Sequence, residues 1–456
     1  MSEFEQDSLA LTAADSAAAT SSSSSSLAQR CDQDSLSVIF SFCQELRVVV
    51  AAALSCRSWR AAAVLRRSSC RAHACLSFYG LLTMLQSPLR IHLARLTMRN
   101  AFGQDLLQLS ARCSHLEELT VWVDGPSVAA LKKSSDAAAA AAFNAHAWPA
   151  SLRSLLLGVK GYEWNASCGG QRLVDALPCS APGLQSLLFM SSSSGMMLDL
   201  SPLQRLDQFT SLTTRHVLSP PQVAVVKQLP ALTDLNVGEG FWTAEDLHAL
   251  LADDGSPHQL RRLQRLNLQK SIVEADSLQR LLTLPGLTEL QPDTIMPNCF
   301  PLLRSFTHLH ALRIATPLGS CNEAAAAELL SSLRALPDLM IFELSGKGVR
   351  TRVLQSLLDG LGTAVPQLHE LRIESAYLPP VSGLRTCTGL RSLSLRDCTR
   401  ESSASSADVL ALLQSLSFLE RLELRVCRLS LTELHRAQLT PPSFLVPSLK
   451  QLIWVM

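Results

Sequence analysis

The sequence is poor in charged residues, aromatic residues and glycine. Of its 456 residues, 17% are charged, 5% are aromatic and 20 are glycine, and the formal net charge is +1. A nearly neutral chain is not built to attract bulk nucleic acid or an anionic membrane through charge. So few glycines also leave little material for loops that cradle phosphate groups. We therefore expect neither nucleic acid nor a membrane as a partner.

Long hydrophobic runs are also lacking, although the mean hydropathy is +0.18. One of the longer uncharged apolar stretches, 48–56, lies between two arginines and is too short for the roughly 20 residues of a membrane-spanning helix. The chain opens with Glu3, Glu5 and Asp7 and shows no basic segment there, so we expect no secretory signal. These features predict a soluble protein of the cytoplasm or nucleus.

Motifs that carry catalysis or bind metals are missing from the sequence. It contains no P-loop, no G-x-S-x-G, no H-E-x-x-H and, among 13 cysteines, no C-x-x-C pair. Cys70, His73 and Cys75 lie close together, but no second Cys/His pair follows at the spacing of a zinc finger. His308 and His310 could share a strand face, but His308 precedes a repeat leucine, which favours a solvated loop. We expect a non-catalytic protein without metal or cofactor.

Leucine is the residue in excess, with 87 copies, and it recurs in the unit L-x-x-L-x-L. Fourteen copies follow one another at a mean spacing of about 27 residues. That spacing lies inside the period of 20–29 residues of leucine-rich repeats. The copies begin at Leu93, Leu116, Leu152, Leu184, Leu212, Leu232, Leu263, Leu287, Leu309, Leu339, Leu368, Leu390, Leu419 and Leu449.

The repeat unit predicts one short strand followed by a returning segment. In x-x-L-x-L the leucines point inward and the residues between them point outward, because side chains alternate along a strand. Several of the returning segments are amphipathic, which predicts helices, and Thr243 and Asn322 are the predicted N-caps of two of them. A single unit cannot bury its leucines, whereas stacked units share one core, so the fold class is an α/β solenoid. The predicted helices cover 243–251, 275–282, 322–333 and 406–416.

The array resembles the leucine-rich repeat family at the level of single residues. That family adds a buried Asn or Cys three positions after the last strand leucine. Cys427 occupies this position in the copy that begins at Leu419, and Cys398 occupies it in the copy that begins at Leu390. The resemblance implies a horseshoe-shaped solenoid with its strands on the concave face, and a structural role for both cysteines.

Two regions precede the array. Residues 1–30 are rich in Ala and Ser, which predicts a disordered tail. Residues 31–75 predict a compact helical domain that contains Ile39-Phe-Ser-Phe42 and, further on, Cys56-Arg-Ser-Trp59. These paired motifs resemble an F-box, although Cys31-Asp32 stands where the family usually has Leu-Pro.

The F-box resemblance implies that this small all-helical domain docks a Skp-type adaptor and, through it, a cullin complex. The alternative is that residues 31–75 only cap the N-terminal end of the solenoid, because repeat arrays need capping elements. The residues that the resemblance assigns to adaptor binding are Leu36, Ile39, Phe40, Leu46, Leu54, Cys56 and Trp59.

The repeat domain is predicted to cover 76–456 and to be irregular in its first half. Residues 125–150 form an insertion, and its alanine run 137–142 fits either a longer return helix or a flexible segment. Four strand residues ahead of the regular part are apolar and would form a patch if exposed together, unless the insertion 125–150 covers them. They are Trp122, Leu156, Leu188 and Met190.

The predicted binding surface is the concave face of the later repeats. Charges of alternating sign suit a mixed-charge protein surface and provide specificity more than affinity. The simpler alternative is that they are only solvated strand residues. The candidate residues are Arg265, Asn267, Arg313, Glu343, Glu370, Arg372, Arg396, Arg421, Glu423 and Arg425.

Together the two resemblances imply a substrate-recognition subunit of a Skp–cullin–F-box ubiquitin ligase, acting as a monomer within a hetero-complex. The F-box would hold the adaptor, and the repeats would hold a protein substrate near the ubiquitin-charged enzyme. One alternative is a leucine-rich repeat scaffold or inhibitor whose N-terminal helices only cap the solenoid. Another is an F-box protein that assembles a structural complex without ubiquitin transfer.

Overall fold

The computed structural model describes most of the repeat array and little that precedes it. By its internal contacts the chain divides into two units, one of residues 1–74 and 82–94 and one of residues 75–81 and 95–456. In the first unit only the ends of two strands are described, and nearly all of the described residues belong to the second. The described residues are 72–77, 93–99, 113, 115–124, 148–160, 164–165, 170–191, 196–215, 218–238, 244–252, 260–315, 322–345, 351–374, 377–378, 381–396, 399–400, 412–425 and 448–455.

The described strands form one main sheet in which strand order follows chain order. From Leu93–Arg99 onward, neighbouring strands of this sheet run parallel, as in the pair Ile341–Ser345 and Glu370–Glu374. Fifteen strands among the described residues belong to it: Ala72–Ser77, Leu93–Arg99, Glu118–Asp124, Ser154–Lys160, Ser186–Ser191, Ser211–Thr214, Asp234–Val237, Arg265–Val273, Glu289–Ile295, Ala311–Ala315, Ile341–Ser345, Glu370–Glu374, Ser392–Arg396, Arg421–Arg425 and Gln451–Val455.

Helices and short two-stranded ladders connect the main strands. Trp164–Asn165 pairs with Met196–Met197, and Tyr377–Leu378 pairs with Thr399–Arg400. Within the described residues, three of the connections contain 3-10 turns, at Ser201–Arg205, Pro297–Cys299 and Val381–Thr386. The α-helices of the described residues are Gly170–Asp175, Leu177–Ser180, Pro220–Lys227, Ala244–Leu251, Ala275–Leu281, Phe300–Leu303, Glu323–Arg334 and Thr351–Ala364.

The leucines of each unit occupy three fixed places. The first leucine closes a turn, as where the Leu263 amide donates to the Leu260 carbonyl at 2.9 Å. The leucines at the fourth and sixth positions of the unit, here Leu266 and Leu268, lie on the strand and are buried. Residues between them are only half-buried, as the alternating burial of Ile341–Ser345 shows. One continuous leucine core therefore backs the sheet, and every second strand residue faces away from it.

Each repeat is attached to the one before it by a shared carbonyl. The Gln264 carbonyl accepts the amides of both Thr288 and Glu289, at 2.9 and 2.8 Å. The Thr288 carbonyl accepts the next pair, His310 and Ala311. The same arrangement recurs at each junction from Glu117 to Glu420. This backbone connection fixes the register of each strand against its predecessor.

The prediction of an α/β leucine-rich repeat solenoid is confirmed by this architecture. The predicted helices are found at Ala244–Leu251, Ala275–Leu281 and Glu323–Arg334. Asn322 is an N-cap, because its Oδ1 accepts the Ala325 amide at 2.9 Å. Thr243 and residues 406–411 of the fourth predicted helix lie outside the described residues, as do Cys398 and Cys427.

Two details differ from the sequence-based expectation. Leu212 pairs in register with Leu187 and Leu235, so it is the fourth residue of its unit. Phe209, which is buried and closes the turn, begins that unit, because an aromatic side chain fills the same core position. Ala72–Ser77 is a strand, although residues up to 75 were expected to be helical. The remainder of the predicted N-terminal domain and residues 125–147 lie outside the described residues.

Within the described ranges, no helix has the length and apolar character needed to cross a membrane. The same residues contain no group of three or more His, Cys, Asp or Glu side chains that could hold a metal ion. His308 and His310 both precede the strand Ala311–Ala315, as expected of loop residues, and the His308 side chain is exposed.

Candidate protein-binding face

The outward side chains of the strands from Ser211–Thr214 to Arg421–Arg425 form a continuous surface, called here the strand face. Because the strands are in register, each outward residue lies about 4.8 Å from its counterparts on the two neighbouring strands. The middle row of this face is wholly polar. It contains Thr213, Asn236, Asn267, Gln291, Arg313, Glu343, Arg372, Ser394 and Glu423.

The N-terminal part of the strand face contains a shallow depression of about 190 Å³. Arg265 lies at its centre and forms ion pairs with Asp234 at 3.0 Å and Glu289 at 3.1 Å. The side-chain oxygens of Asn236 and Asn267 are buried beside it and have no hydrogen-bond partner among the described residues. The depression therefore offers acceptor oxygens around a neutralised arginine.

The central part of the strand face is organised around Glu343. Its carboxylate lies 3.4 Å from Arg313 Nε and 3.6 Å from Arg372 Nη1, on the two adjacent strands. Arg372 also pairs with Glu370 on its own strand. Burial raises the pKa of Glu343, and the two arginines only partly oppose this increase. These four residues are called the Glu343 cluster.

The C-terminal part of the strand face holds three arginines around one carboxylate. Glu423 contacts Arg396 at 3.1 Å, Arg421 at 3.2 Å and also Arg425. Burial acts to raise the pKa of Glu423, but the hydrogen bond from Arg396 and the charges of all three arginines outweigh it, so the pKa is lowered. The same hydrogen bond raises the pKa of Arg396. These four residues are called the Glu423 cluster.

All ten predicted surface residues lie on described strands at outward positions, and the fold brings them together in these three groups. Glu423 differs in one respect, because its side chain is only 2% exposed and so holds arginines instead of meeting solvent. Glu289 and Gln291 also lie at outward positions, although the leucine pattern did not identify them. Their copy of the repeat has Pro292 in place of the last leucine, which hid two regular outward positions.

The earlier apolar residues Trp122, Leu156, Leu188 and Met190 are half-buried on the outward side of their strands. The Trp122 ring lies over Gly158, its register partner. A Cβ at Gly158 would lie 2.3 Å from the indole, so the glycine gives the ring room. The seven residues predicted to bind an adaptor, from Leu36 to Trp59, lie outside the described residues, and their assignment stays a prediction.

Comparison with known proteins adds little to this picture. No protein-family model matches the chain, and no curated protein does. Among solved structures, the crystal structure of a TLR13–ssRNA13 complex is similar, with 18% sequence identity and a TM-score of 0.36. The match covers 78% of this chain and 50% of that one, so the chain spans about half of that structure's length. The solenoid assignment rests on the strand register and the buried leucines.

Proposed function

We propose that this chain is a non-catalytic recognition subunit of a Skp–cullin–F-box ubiquitin ligase. In this proposal the strand face binds a protein substrate, and residues 31–75 dock a Skp-type adaptor. The observation that supports substrate binding is the strand face itself, where charges in register are already paired with one another. Paired charges on a rigid sheet are held in place before a partner arrives, which favours specific recognition.

The dimensions of the strand face favour a protein over a small molecule. The strands from Asp234–Val237 to Arg421–Arg425 number eight, and seven steps of about 4.8 Å span roughly 34 Å. That breadth suits a standard protein interface of about 800 Å² per partner. The depression of about 190 Å³ is smaller than the roughly 300–1,000 Å³ of small-molecule sites.

The ligase half of the proposal rests on the paired motifs Ile39-Phe-Ser-Phe42 and Cys56-Arg-Ser-Trp59. In such a complex the chain forms no covalent bond with its substrate and raises the ubiquitination rate by proximity. The proposed partners are the adaptor, the cullin complex and one protein substrate, with the chain present as a monomer. The proposal involves no cofactor and no metal, and places the complex in the cytoplasm or nucleus.

The second candidate is a leucine-rich repeat scaffold or inhibitor. The observation that favours it is that the whole strand face is built from residues after 210, so its geometry requires none of residues 31–75. In that case the N-terminal helices cap the solenoid, as the ends of repeat arrays require.

Adaptor binding by the full chain separates the two candidates. The full-length protein is co-expressed with a Skp-type adaptor and purified through a tag on the adaptor. The ligase proposal expects the wild type to co-purify, and Ile39→Ala/Phe40→Ala and Trp59→Ala to lose most of that binding. Phe418→Ala is the control, because Phe418 is 62% exposed and lies at the other end of the chain.

Two further outcomes decide between the remaining possibilities. A wild-type chain that does not co-purify with the adaptor rules out the ligase and leaves the scaffold. A chain that co-purifies but drives no ubiquitination of its bound proteins supports a structural F-box complex. Circular dichroism on each variant shows whether the loss of binding reflects unfolding.

A further inference from the structure

We infer that the Glu423 cluster is a docking site for the carboxylates of an acidic segment in the protein partner. The inference rests on the proposed protein-binding role of the strand face and specifies the chemistry that one part of it recognises. It places the acidic segment over the strands Ser392–Arg396 and Arg421–Arg425.

The charges in this cluster are layered. The Glu423 carboxylate lies at the bottom, with its side chain 2% exposed. The arginine side chains lie above it and are 31%, 42% and 46% exposed for Arg396, Arg421 and Arg425. A molecule that approaches the cluster therefore meets guanidinium groups first, because the Glu423 carboxylate lies beneath them.

The arrangement of the arginines breaks a rule of strand pairing. Arg396 and Arg425 are register partners on adjacent strands, and like charges at opposed positions destabilise a sheet. Glu423 offsets this repulsion, and Glu374, the register partner of Arg396 on the other side, reduces it further. Local arrangements that cost stability tend to occur at functional positions.

Ser394 is an independent observation in the same place. It lies between Arg372 and Glu423 in the middle row and is 2% exposed. Its Oγ is buried and has no hydrogen-bond partner within the described part of the chain. Buried hydroxyl groups are almost always hydrogen-bonded, so this one marks a position where another molecule can complete the bonding.

The charges around the cluster favour a few carboxylates over a nucleic acid. Glu343, Glu370 and Glu374 lie on the two preceding strands and repel a continuous phosphate backbone that crosses the face. Aspartate or glutamate side chains can reach the arginines one at a time and form two parallel hydrogen bonds with each guanidinium. An acidic peptide segment is the partner that fits both conditions.

The test uses the full-length protein and a fluorescein-labelled hexaglutamate peptide at low ionic strength. Fluorescence anisotropy measures binding to the wild type, to Arg396→Gln/Arg425→Gln and to the control Arg304→Gln/Arg334→Gln. The control removes the same two charges from exposed helix and loop positions. We expect the Kd for hexaglutamate to rise at least tenfold in the cluster variant and to change less than twofold in the control.

A second variant separates ligand binding from a structural role. Glu423→Gln removes the buried negative charge and leaves the three arginines, so we expect it to bind hexaglutamate more tightly than the wild type. A purely structural cluster predicts unchanged or weaker binding. If Glu423→Gln does not fold, Arg421→Lys is used instead. It keeps the positive charge but cannot form two parallel hydrogen bonds with a carboxylate, so we expect it to weaken hexaglutamate binding, whereas a purely structural role predicts no change in binding.

Three results overturn the inference. They are no binding of hexaglutamate to the wild type, equal losses in the cluster and control variants, and tighter binding of labelled hexauridylate than of the peptide. The last would identify a nucleic-acid site. Adaptor co-purification is measured separately on the same protein, so failure of the acidic docking site leaves the ligase proposal standing, and the reverse also holds.

Discussion

Replacing Glu423 by glutamine should destabilise the protein by up to about 2 kcal/mol at pH 7. The substitution keeps the shape of the side chain and removes the charge that faces Arg396, Arg421 and Arg425. Each charge pair with a partly exposed arginine is worth about 0.5–1 kcal/mol after solvent screening. Three pairs sum to roughly 2 kcal/mol, and this is an upper limit because the desolvation of Glu423 acts against them. Repulsion between Arg396 and Arg425 acts in the same direction once Glu423 is neutral.

The stability loss should depend on pH with a defined sign. The folded-state pKa of Glu423 is lowered from its ordinary value of 4.5, so the folded protein prefers the charged form. The contribution is therefore fully present above about 4.5 and disappears as the pH falls through the folded-state pKa. The difference between wild type and variant should shrink in acid and stay constant from pH 6 to 8.

Urea denaturation followed by circular dichroism measures both effects. Glu420→Gln is the matched control, because Glu420 pairs with Lys450 at 3.0 Å while their side chains are 40% and 73% exposed. That exposed pair should contribute less than about 0.5 kcal/mol. Equal losses for the two glutamines would falsify the assignment of Glu423 as the neutraliser of its cluster.

Three other substitutions test separate parts of the fold by the same assay. Glu343→Gln should be neutral or stabilising at pH 7. Burial raises the folded-state pKa of Glu343, so the folded protein favours the protonated side chain, and the stability that this provides is lost as the pH rises through that pKa. A loss of stability as large as that of Glu423→Gln contradicts this reasoning. Gly362→Ala should cost about 1–3 kcal/mol, because its Cβ would lie 2.3 Å from backbone of the neighbouring repeat, whereas Gly183→Ala, with open space around it, should cost much less. Asn322→Ala should cost about 1 kcal/mol through loss of a helix cap, and no change would show the cap to be dispensable.

The fold was predictable because its information is local. The spacing of leucines specifies which residues are inside, and Asn322 marks a helix start without reference to any other repeat. The first residue of the unit that contains Leu212 could not be identified from the sequence in the same way. Phe209 substitutes for the usual first leucine there, and only the register against Leu187 and Leu235 reveals it.

The sequence predicts which residues form the candidate site, but it does not predict how the pKa values of their side chains shift. Alternation along the strands identified Glu343 and Glu423 as equivalent outward residues of two repeats. Their pKa values nevertheless shift in opposite directions. The reason is the balance between burial and the neighbouring arginines. At Glu343 burial outweighs two arginines at 3.4 and 3.6 Å, whereas at Glu423 the hydrogen bond from Arg396 and the charges of three arginines outweigh burial. Such differences depend on side-chain packing across strands, which a linear pattern does not contain.

The carbonyl that joins each repeat to the next also determines how far a local disruption of the backbone affects the rest of the array. Every junction from Glu117 to Glu420 connects only consecutive repeats, so no backbone bond in this series bridges over a missing one. A mutation that breaks the hydrogen bonds of one junction, such as a residue inserted between Gln264 and Thr288, should separate the array into two parts that unfold independently. The halves would then melt at different temperatures, each set by its own repeats and not by the whole chain.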